Sequence, residues 1–181
     1  IFKTKWIVIK INKIQNNDFL YTIFTYDYWK IRTIKKLSKK EKNLDLWYII
    51  NFEIETKEQK DIHKIKNIKI KSEFNSNNKS FSIINSYLEL LSLIVKNIPD
   101  WAPVYEVFDI IEAINNKKEI NEIHLLLTKL KILLISSKIE TTYSNKTIEK
   151  ILKFIDQNNI NNILKLSGID EKLKKELENI F

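Results

Sequence analysis

The sequence predicts an α+β protein, with a five-stranded β-barrel at the N-terminus and an all-helical C-terminal domain. Across residues 1–75, apolar residues recur mainly at every second position, the period of a half-buried strand. Across residues 76–181 they recur at every third or fourth position, the period of an amphipathic helix. The polar segment NSNNKS separates the two patterns and predicts a boundary between a domain at 1–75 and a domain at 76–181.

Five segments of the first domain are predicted as strands. In the first strand, the alternation places Ile7, Ile9 and Ile11 on one face. The second is apolar on both faces, which is typical of a strand in a closed or covered sheet. In the fourth, Tyr48, Ile50, Phe52 and Ile54 form an inward stripe. The five strands run from Lys5 to Lys13, Phe19 to Tyr26, Lys30 to Ile34, Tyr48 to Ile54 and Ile62 to Phe74.

Five short antiparallel strands, joined by turns at hairpin spacing, are too few for a β-sandwich and too amphipathic for an open sheet. This pattern favours a small closed barrel resembling the OB-fold. A loop that is almost pure lysine follows the third strand at residues 35–43. A rigid platform that carries concentrated positive charge suits a polyanion better than a small molecule.

The second domain is predicted as a helical bundle. Its first helix runs from Ser80 to Ile98, and Pro103 suits the first turn of the second helix. The apolar face of that second helix consists of Val104, Val107, Phe108, Ile111 and Ile114. The remaining helices are predicted at Glu119 to Lys138, Asn145 to Asp156, Asn159 to Leu166 and Ile169 to Phe181.

Charge is divided unevenly along the chain. The whole sequence has 31 Lys and Arg against 23 Asp and Glu, a net charge of +8. Residues 1–75 have 17 of these basic residues against 9 acidic ones, which accounts for all of the +8, and residues 76–181 have 14 against 14. The first domain is therefore expected to meet an anion, and the second is not.

Composition also bounds the chemistry. The absence of cysteine excludes disulfides and thiolate metal sites, and the histidines, His63 and His124, are far apart. We therefore expect no metal and no other cofactor. No apolar run approaches the roughly 20 residues of a membrane helix, and no leader pattern opens the sequence, so an intracellular location without a membrane partner is expected.

Glycine is rare and tryptophan is placed unusually. An average composition of about 7% glycine would give on the order of a dozen residues, yet Gly168 is the sole glycine. Trp6, Trp29, Trp47 and Trp101 lie at strand starts or among turn-forming residues, where a backbone with φ > 0 favours glycine. One hypothesis is that UGA codons, read as glycine in the source, were translated as tryptophan. The other interpretation is that they are ordinary aromatic residues from an AT-rich genome.

The opening TKWIVIKINKIQNNDFLYTIFTYDYWKIRTIKKLSKK resembles the N-terminal pattern of RecO, a family of bacterial recombination mediators. That pattern has a strand beginning Lys-x-x-Gly-Ile-Val, an acidic residue before an apolar strand ending Phe-Thr, and then Gly-Lys-Ile and a basic loop. The family's two glycines fall on Trp6 and Trp29. The matching residues are Ile7, Val8, Asp18, Phe24, Thr25, Lys30 and Ile31.

The helical half is similar to the family in outline, with Tyr-Leu-Glu-Leu at 87–90 and Val-Phe-Asp-Ile-Ile at 107–111. The resemblance implies binding to single- and double-stranded DNA in DNA repair, recombination and the SOS response to DNA damage. It further implies annealing of strands coated with single-strand-binding protein, recombinase loading with RecR, and a cytoplasmic, nucleoid-associated location. Many members carry a cysteine zinc site, and this chain has no cysteine.

The candidate DNA-binding surface is basic. Lysines neutralise phosphates without reading sequence, and a nearby tyrosine could stack on bases. Lys64, Lys66, Lys69 and Lys71 are weaker candidates, because alternation can point them to solvent merely to protect a strand edge. Tyr21, Tyr26 and Tyr48 are more often packing residues than base platforms. The candidates are Lys30, Arg32, Lys35, Lys36, Lys39, Lys40, Lys42 and Tyr28.

Catalytic signals are few, and the sequence predicts a protein that is not an enzyme. Glu53 and Glu55 share a strand face, but the sequence shows no second surface that would complete a catalytic site around them. His124 is expected to pack or lie on the surface. No phosphate-cradling glycine loop is present. Two other functions stay open: an adaptor that binds proteins through the helical domain, and an RNA-binding OB protein.

Overall fold

The computed structural model describes residues 5–15, 18–26, 30–36, 44–55, 62–99 and 105–181. As the sequence predicts, five strands precede six helices, and none of the described helices is long and apolar enough to cross a bilayer. The strands are β1 (Lys5–Gln15), β2 (Asp18–Thr25), β3 (Lys30–Lys36), β4 (Ile49–Glu55) and β5 (Ile62–Ser72). The helices are α1 (Phe81–Asn97), α2 (Tyr105–Asn116), α3 (Glu122–Ile135), α4 (Lys146–Gln157), α5 (Ile160–Ile163) and α6 (Glu171–Glu178).

The strands form a closed barrel in the order β1-β2-β3-β5-β4, with β4 pairing back to β1. This confirms the predicted OB-fold-like barrel. The expectation that all strands are antiparallel is wrong, because β3 and β5 run parallel, with Arg32 opposite Ile62 and Ile34 opposite Lys64. An odd number of strands cannot alternate direction around a closed ring, so at least one neighbouring pair must be parallel.

Aromatic and branched side chains fill the barrel. The indole ring of Trp6 stacks on Phe52, with the ring centroids 4.3 Å apart. The predicted inward stripe of β4 is confirmed: Ile50, Phe52 and Ile54 are buried in the core, and Tyr48 packs against it. The other buried members of this core are Val8, Tyr21, Ile23, Leu44 and Ile65.

The predicted face of β1 is wrong, because the strand has a bulge at Ile9. Val8 is paired with Ile23 and Lys10 with Thr22, so Ile9 is an extra residue that bulges from the ladder. Val8 belongs to the barrel core and Ile11 packs against it, whereas Ile7 is buried on the opposite face. The bulge shifts the alternation by one, and Ile7, Ile9 and Ile11 therefore do not share a face.

Helix α2 packs on the barrel. The ring of Phe24 stacks on Phe108 with the centroids 5.6 Å apart. The Lys5 ammonium nitrogen lies 2.7 Å from a carboxylate oxygen of Glu112, and the Asn115 amide donates to the Trp47 carbonyl at 3.3 Å. By their contacts, one compact unit comprises 1–75 with 99–116, and the other comprises 76–98 with 117–181. The predicted domains differ from these units in grouping α2 with the other helices.

The second unit is organised around α3, which contacts α1, α4, α5 and α6. Its sequence is leucine-rich and is buried on almost every side. The one buried charge of α3, Lys131, donates from Nζ to the Asp156 carbonyl at 2.9 Å. Side-chain caps from Ser80, Asn145 and Asp170 fix the starts of α1, α4 and α6. The observed α3, α5 and α6 are shorter than predicted.

The tryptophan positions differ in their backbone. Trp47 is buried and has φ = 66°, a left-handed conformation that favours glycine. Trp6 is also buried, but its φ is not positive, and it lies in an extended strand. The structure thus gives a backbone reason for glycine at position 47 and none at position 6. Trp29 and Trp101 lie outside the described residues.

Substitution at these two positions should separate backbone strain from packing. Trp47→Gly and Trp47→Ala both remove the ring, but the glycine variant relieves the left-handed strain and should be more stable by about 1 kcal/mol. At position 6 the order should reverse, with glycine less stable than alanine by roughly 0.5–1 kcal/mol. Chemical denaturation of the four variants gives these differences. Equal stabilities of the two variants at position 47 would contradict the presence of left-handed strain there. Separately, an indole found at this position by mass spectrometry of the natively expressed protein would end the recoding hypothesis.

His124 is part of the N-terminal cap of α3. Its Nδ1 accepts a hydrogen bond from the Asn121 backbone N–H at 3.1 Å, and its own N–H donates to the Asn121 side-chain oxygen at 2.9 Å. This reciprocal pair is a capping box with histidine in the place usually taken by Glu or Gln. Burial lowers the pKa of His124, the charge of Lys117 lowers it further, and a backbone hydrogen bond with Leu164 opposes both.

The cap should make stability depend on pH. A folded pKa below the unfolded value, near 6.5, means that the stabilisation is fully present above about pH 6.5. It is lost as the pH falls toward the folded pKa, because protonation of Nδ1 removes the acceptor. Urea midpoints measured from pH 7.5 down to pH 5.5 should fall in the wild type and stay flatter in His124→Gln, which keeps an acceptor but does not titrate. Parallel curves for the two proteins would contradict this role.

Candidate nucleic-acid interface

Alternation along β3 divides its side chains between two faces. Ile31 and Thr33 face the barrel interior, where Thr33 is fully buried. Arg32 and Lys36 lie on the outer face and are exposed. Lys35 is on the interior side near the end of the strand, where it is half-buried. The basic residues of β3 therefore reach both sides of the strand end.

A groove of about 690 Å³ lies between β3 and β5. In the described part of the chain the two strands pair at three positions, the last being Ile34 opposite Lys64. Both strands continue in the same direction beyond this pair, and residues from both line the groove. The lining consists of Asp18, Ile34, Lys35, Lys36, Lys64, Ile65, Lys66, Asn67 and Ile68.

The groove is strongly cationic. Four lysines and one aspartate contribute a net charge of +3 to its lining. Asp18 is opposite Lys36 in the register of β2 and β3, so the single carboxylate lies at the β2 side. The lining also includes Ile34, Ile65 and Ile68, which provide an aliphatic surface between the charged walls. This combination suits a flexible polyanion that also has apolar parts.

A bulge at Asn67 sets the direction of the lysines of β5. Asn67 has φ = 52°, and its side-chain amide donates to a Glu53 carboxylate oxygen at 2.7 Å. The register passes from Glu53 opposite Lys66 to Asn51 opposite Lys69, which leaves one extra residue on β5. Because the extra residue shifts the alternation, lysines on both sides of it are exposed. They are Lys64, Lys66, Lys69 and Lys71.

Protection of a strand edge stays an alternative for most of these lysines. β5 pairs with β4 from Lys64 to Ser72, but in the described part of the chain it pairs with β3 only as far as Lys64. Lys66, Lys69 and Lys71 therefore lie on a stretch of β5 that has no described strand paired on its β3 side. Lys64 and Lys66 were ranked below the β3 lysines, yet they form the opposite wall of the groove.

The predicted basic surface is only partly described. Lys35 and Lys36 line the groove, and Arg32 precedes them on the outer face of β3. For Lys30 the structure gives the backbone, as the first residue of β3, and not the side chain. The other predicted residues, Lys39, Lys40, Lys42 and Tyr28, lie outside the described residues.

Three tyrosines weighed as base platforms are packing residues. Tyr21 is fully buried in the barrel. Tyr26 packs against Tyr105 and Phe108 of α2, with ring centroids 4.7 and 5.4 Å away. Tyr48 is half-buried against the barrel core. None of the three presents a free ring face at the groove.

Glu53 and His124, which were considered as catalytic residues, have structural partners. Glu53 accepts the Asn67 hydrogen bond, and His124 caps α3. Glu122 is bonded to Lys174 at 2.7 Å and to the Ser82 hydroxyl, which lowers its carboxyl pKa. Within the described ranges, no three His, Asp or Glu side chains are grouped to hold a metal ion. The side chain of Glu55 is outside those ranges.

The parallel pair also buries two polar atoms. Thr33 Oγ1 and His63 Nδ1 have no hydrogen-bond partner among the described residues, and the two residues are opposite each other in the register of β3 and β5. An unsatisfied buried polar group costs about 1–3 kcal/mol. These two atoms therefore make the pairing of β3 with β5 less favourable than a fully satisfied one.

Comparison with known proteins finds no protein-family model that matches the chain and no match among curated proteins. The resemblance to RecO therefore rests on the opening residues and the order of parts.

Proposed function

We propose that the protein is a non-enzymatic DNA-binding recombination mediator of the RecO type, which binds the phosphate backbone through a basic face of its OB-fold-like barrel. The observation that carries this proposal is the groove between β3 and β5, with lysines on both walls. Lysine ammonium groups attract phosphates at any sequence, so they position a strand without selecting its bases. A mediator that acts on many DNA sequences needs this kind of contact.

Charge distribution supports the same function. The entire net charge of +8 lies in residues 1–75, which supply all five strands of the barrel. The strands hold Lys35, Lys36, Lys64 and Lys66 on a closed framework, so their positive charges are held close together despite mutual repulsion. Concentrated charge of this kind raises the rate and strength of association with a polyanion.

The individual activities and protein partners in this proposal rest on the resemblance to the RecO family. RecO-type activity would consist of binding single- and double-stranded DNA, annealing strands coated with single-strand-binding protein, and loading the recombinase with RecR. These steps belong to DNA repair and to the response to DNA damage in the bacterial cytoplasm, at the nucleoid. Nucleic acid is the partner for which the groove supplies physical support.

A second function, that of a protein-binding adaptor, is favoured by one observation in the helical unit. Phe81, Leu88 and Val95 of α1 recur at a spacing of seven residues, and their exposed fractions are 83%, 50% and 43%. Residues seven apart lie on one face of a helix, so α1 presents an apolar stripe. A gel shift with single-stranded oligonucleotides separates the two functions.

Reversing charge at the predicted site should abolish DNA binding. In a variant carrying Lys35→Glu, Lys36→Glu, Lys39→Glu and Lys40→Glu, the phosphate contacts are replaced by repulsion. Wild-type affinity, measured by fluorescence anisotropy, should fall steeply with salt. If all four lysines contact phosphates, they contribute about 3 to the slope of log K against log salt for a single strand.

The control variant makes the same change of net charge in residues 76–181, which have no net charge. Lys118→Glu, Lys138→Glu, Lys150→Glu and Lys165→Glu alter exposed lysines of the helical unit. This variant should keep most of the wild-type affinity, because its lysines lie outside the barrel unit. Unchanged binding in the barrel variant at low salt would contradict the assigned surface.

A further inference from the structure

We infer that the groove between β3 and β5 holds a segment of single-stranded nucleic acid, with Lys64 and Lys66 of β5 as the second phosphate-binding wall. This inference rests on the proposed nucleic-acid function and adds to it the strand class and the β5 residues. The sequence pattern favours the β3 side and the loop after it. The structure places two lysines of β5 across the groove from Lys35 and Lys36.

The size of the groove selects a single strand. At about 690 Å³ the space is that of a small-molecule site and accommodates a few nucleotides at most. A duplex keeps its base faces stacked inside and offers only its charged exterior to such a groove. A single strand can bring its phosphates to the lysines and turn a base toward the wall between them. The groove thus fits one strand and excludes the body of a duplex.

The aliphatic side chains of the lining provide an apolar surface on which a base could pack. Ile34 and Ile68 are half-buried, and Ile65 is a buried member of the barrel core that also lines the groove. Contact with the face of a base would remove apolar surface from water on both sides, and every base has such a face. Asn67 donates its side-chain amide to Glu53, so its hydrogen-bonding capacity is partly used. Binding here would therefore be sequence-tolerant.

Nucleic acid fits this groove better than an acidic peptide does. In the sequence, Lys39, Lys40 and Lys42 follow soon after Lys36. Such a run of basic residues suits a polymer with one negative charge in every repeat. Asp18 is the single opposing charge in the lining, and it should weaken the binding of any anion.

The test compares two lysine pairs of the same strand. Lys64→Gln with Lys66→Gln removes two charges from the groove lining, and Lys69→Gln with Lys71→Gln removes two exposed charges outside it. The probes are a labelled oligothymidine and a duplex of equal length. The groove pair should lower single-strand affinity about tenfold at low salt and reduce the salt slope by about 1.4, and the control pair should change the affinity less than threefold.

Two further variants examine the lining. Ile34→Thr should weaken single-strand binding about fourfold and leave duplex binding unchanged, because only the single strand offers a base face. Asp18→Asn should tighten single-strand binding about threefold by removing the opposing charge. Unchanged thermal midpoints show that each variant is folded. A parallel loss of single-strand and duplex affinity in Ile34→Thr would overturn the single-strand assignment.

The outcomes separate this inference from the proposed function. A wild-type protein that binds no oligonucleotide at low salt overturns both. Binding that is lost in the Lys35, Lys36, Lys39 and Lys40 variant, but is affected equally by the two β5 pairs, supports the proposed function and overturns the groove. Binding of an oligoglutamate through Lys64 and Lys66, tighter than that of the oligothymidine, assigns the groove to an acidic peptide and overturns the inference.

Discussion

The surface of the barrel follows from a constraint on closing a ring of five strands. Directions cannot alternate around an odd ring, and here the parallel neighbours are β3 and β5. Their described pairing covers three positions and buries two polar atoms without described partners. The groove opens beside this short pairing, and residues of both strands beyond it form its walls. The same topological requirement that closes the core therefore also brings together the two strands whose lysines line this cationic groove.

Two of the register irregularities in the ring, at Ile9 and Asn67, help to keep its interior apolar. Ile9 in β1 and Asn67 in β5 each add one residue to a strand, and each moves the following side chains to the opposite face. After Asn67, this leaves the isoleucines of β5 toward the core and its lysines toward solvent. Without the bulge, Lys69 and Lys71 would point inward, at a large cost in desolvation. The hydrogen bond from Asn67 to Glu53 holds the strand in this register.

Local sequence patterns predicted most of the fold, and the remainder depends on pairing between residues that are far apart in sequence. The order of strands and helices, the β4 stripe and the closed barrel were predictable, because period and turn chemistry are local properties. The parallel pair and the packing of α2 depend on residues far apart in sequence, such as Lys5 and Glu112. The Asn67 bulge was visible as a break in the alternation of KIKNIKIK. The lysines of β3 were predicted as a site, whereas the opposing wall required knowledge of which strand lies beside β3.

The packing of α2 on the strands has a consequence for synthesis. The chain leaves the barrel unit after Asn75, forms α1 in the other unit, and returns before α2. All five strands have therefore been translated before the helix that covers Phe24 and Tyr26 leaves the ribosome. During this interval the nascent barrel exposes an aromatic surface, which is the condition under which chaperones engage growing chains. The barrel unit can therefore be completed only after residue 116, rather than residue 75, has left the ribosome.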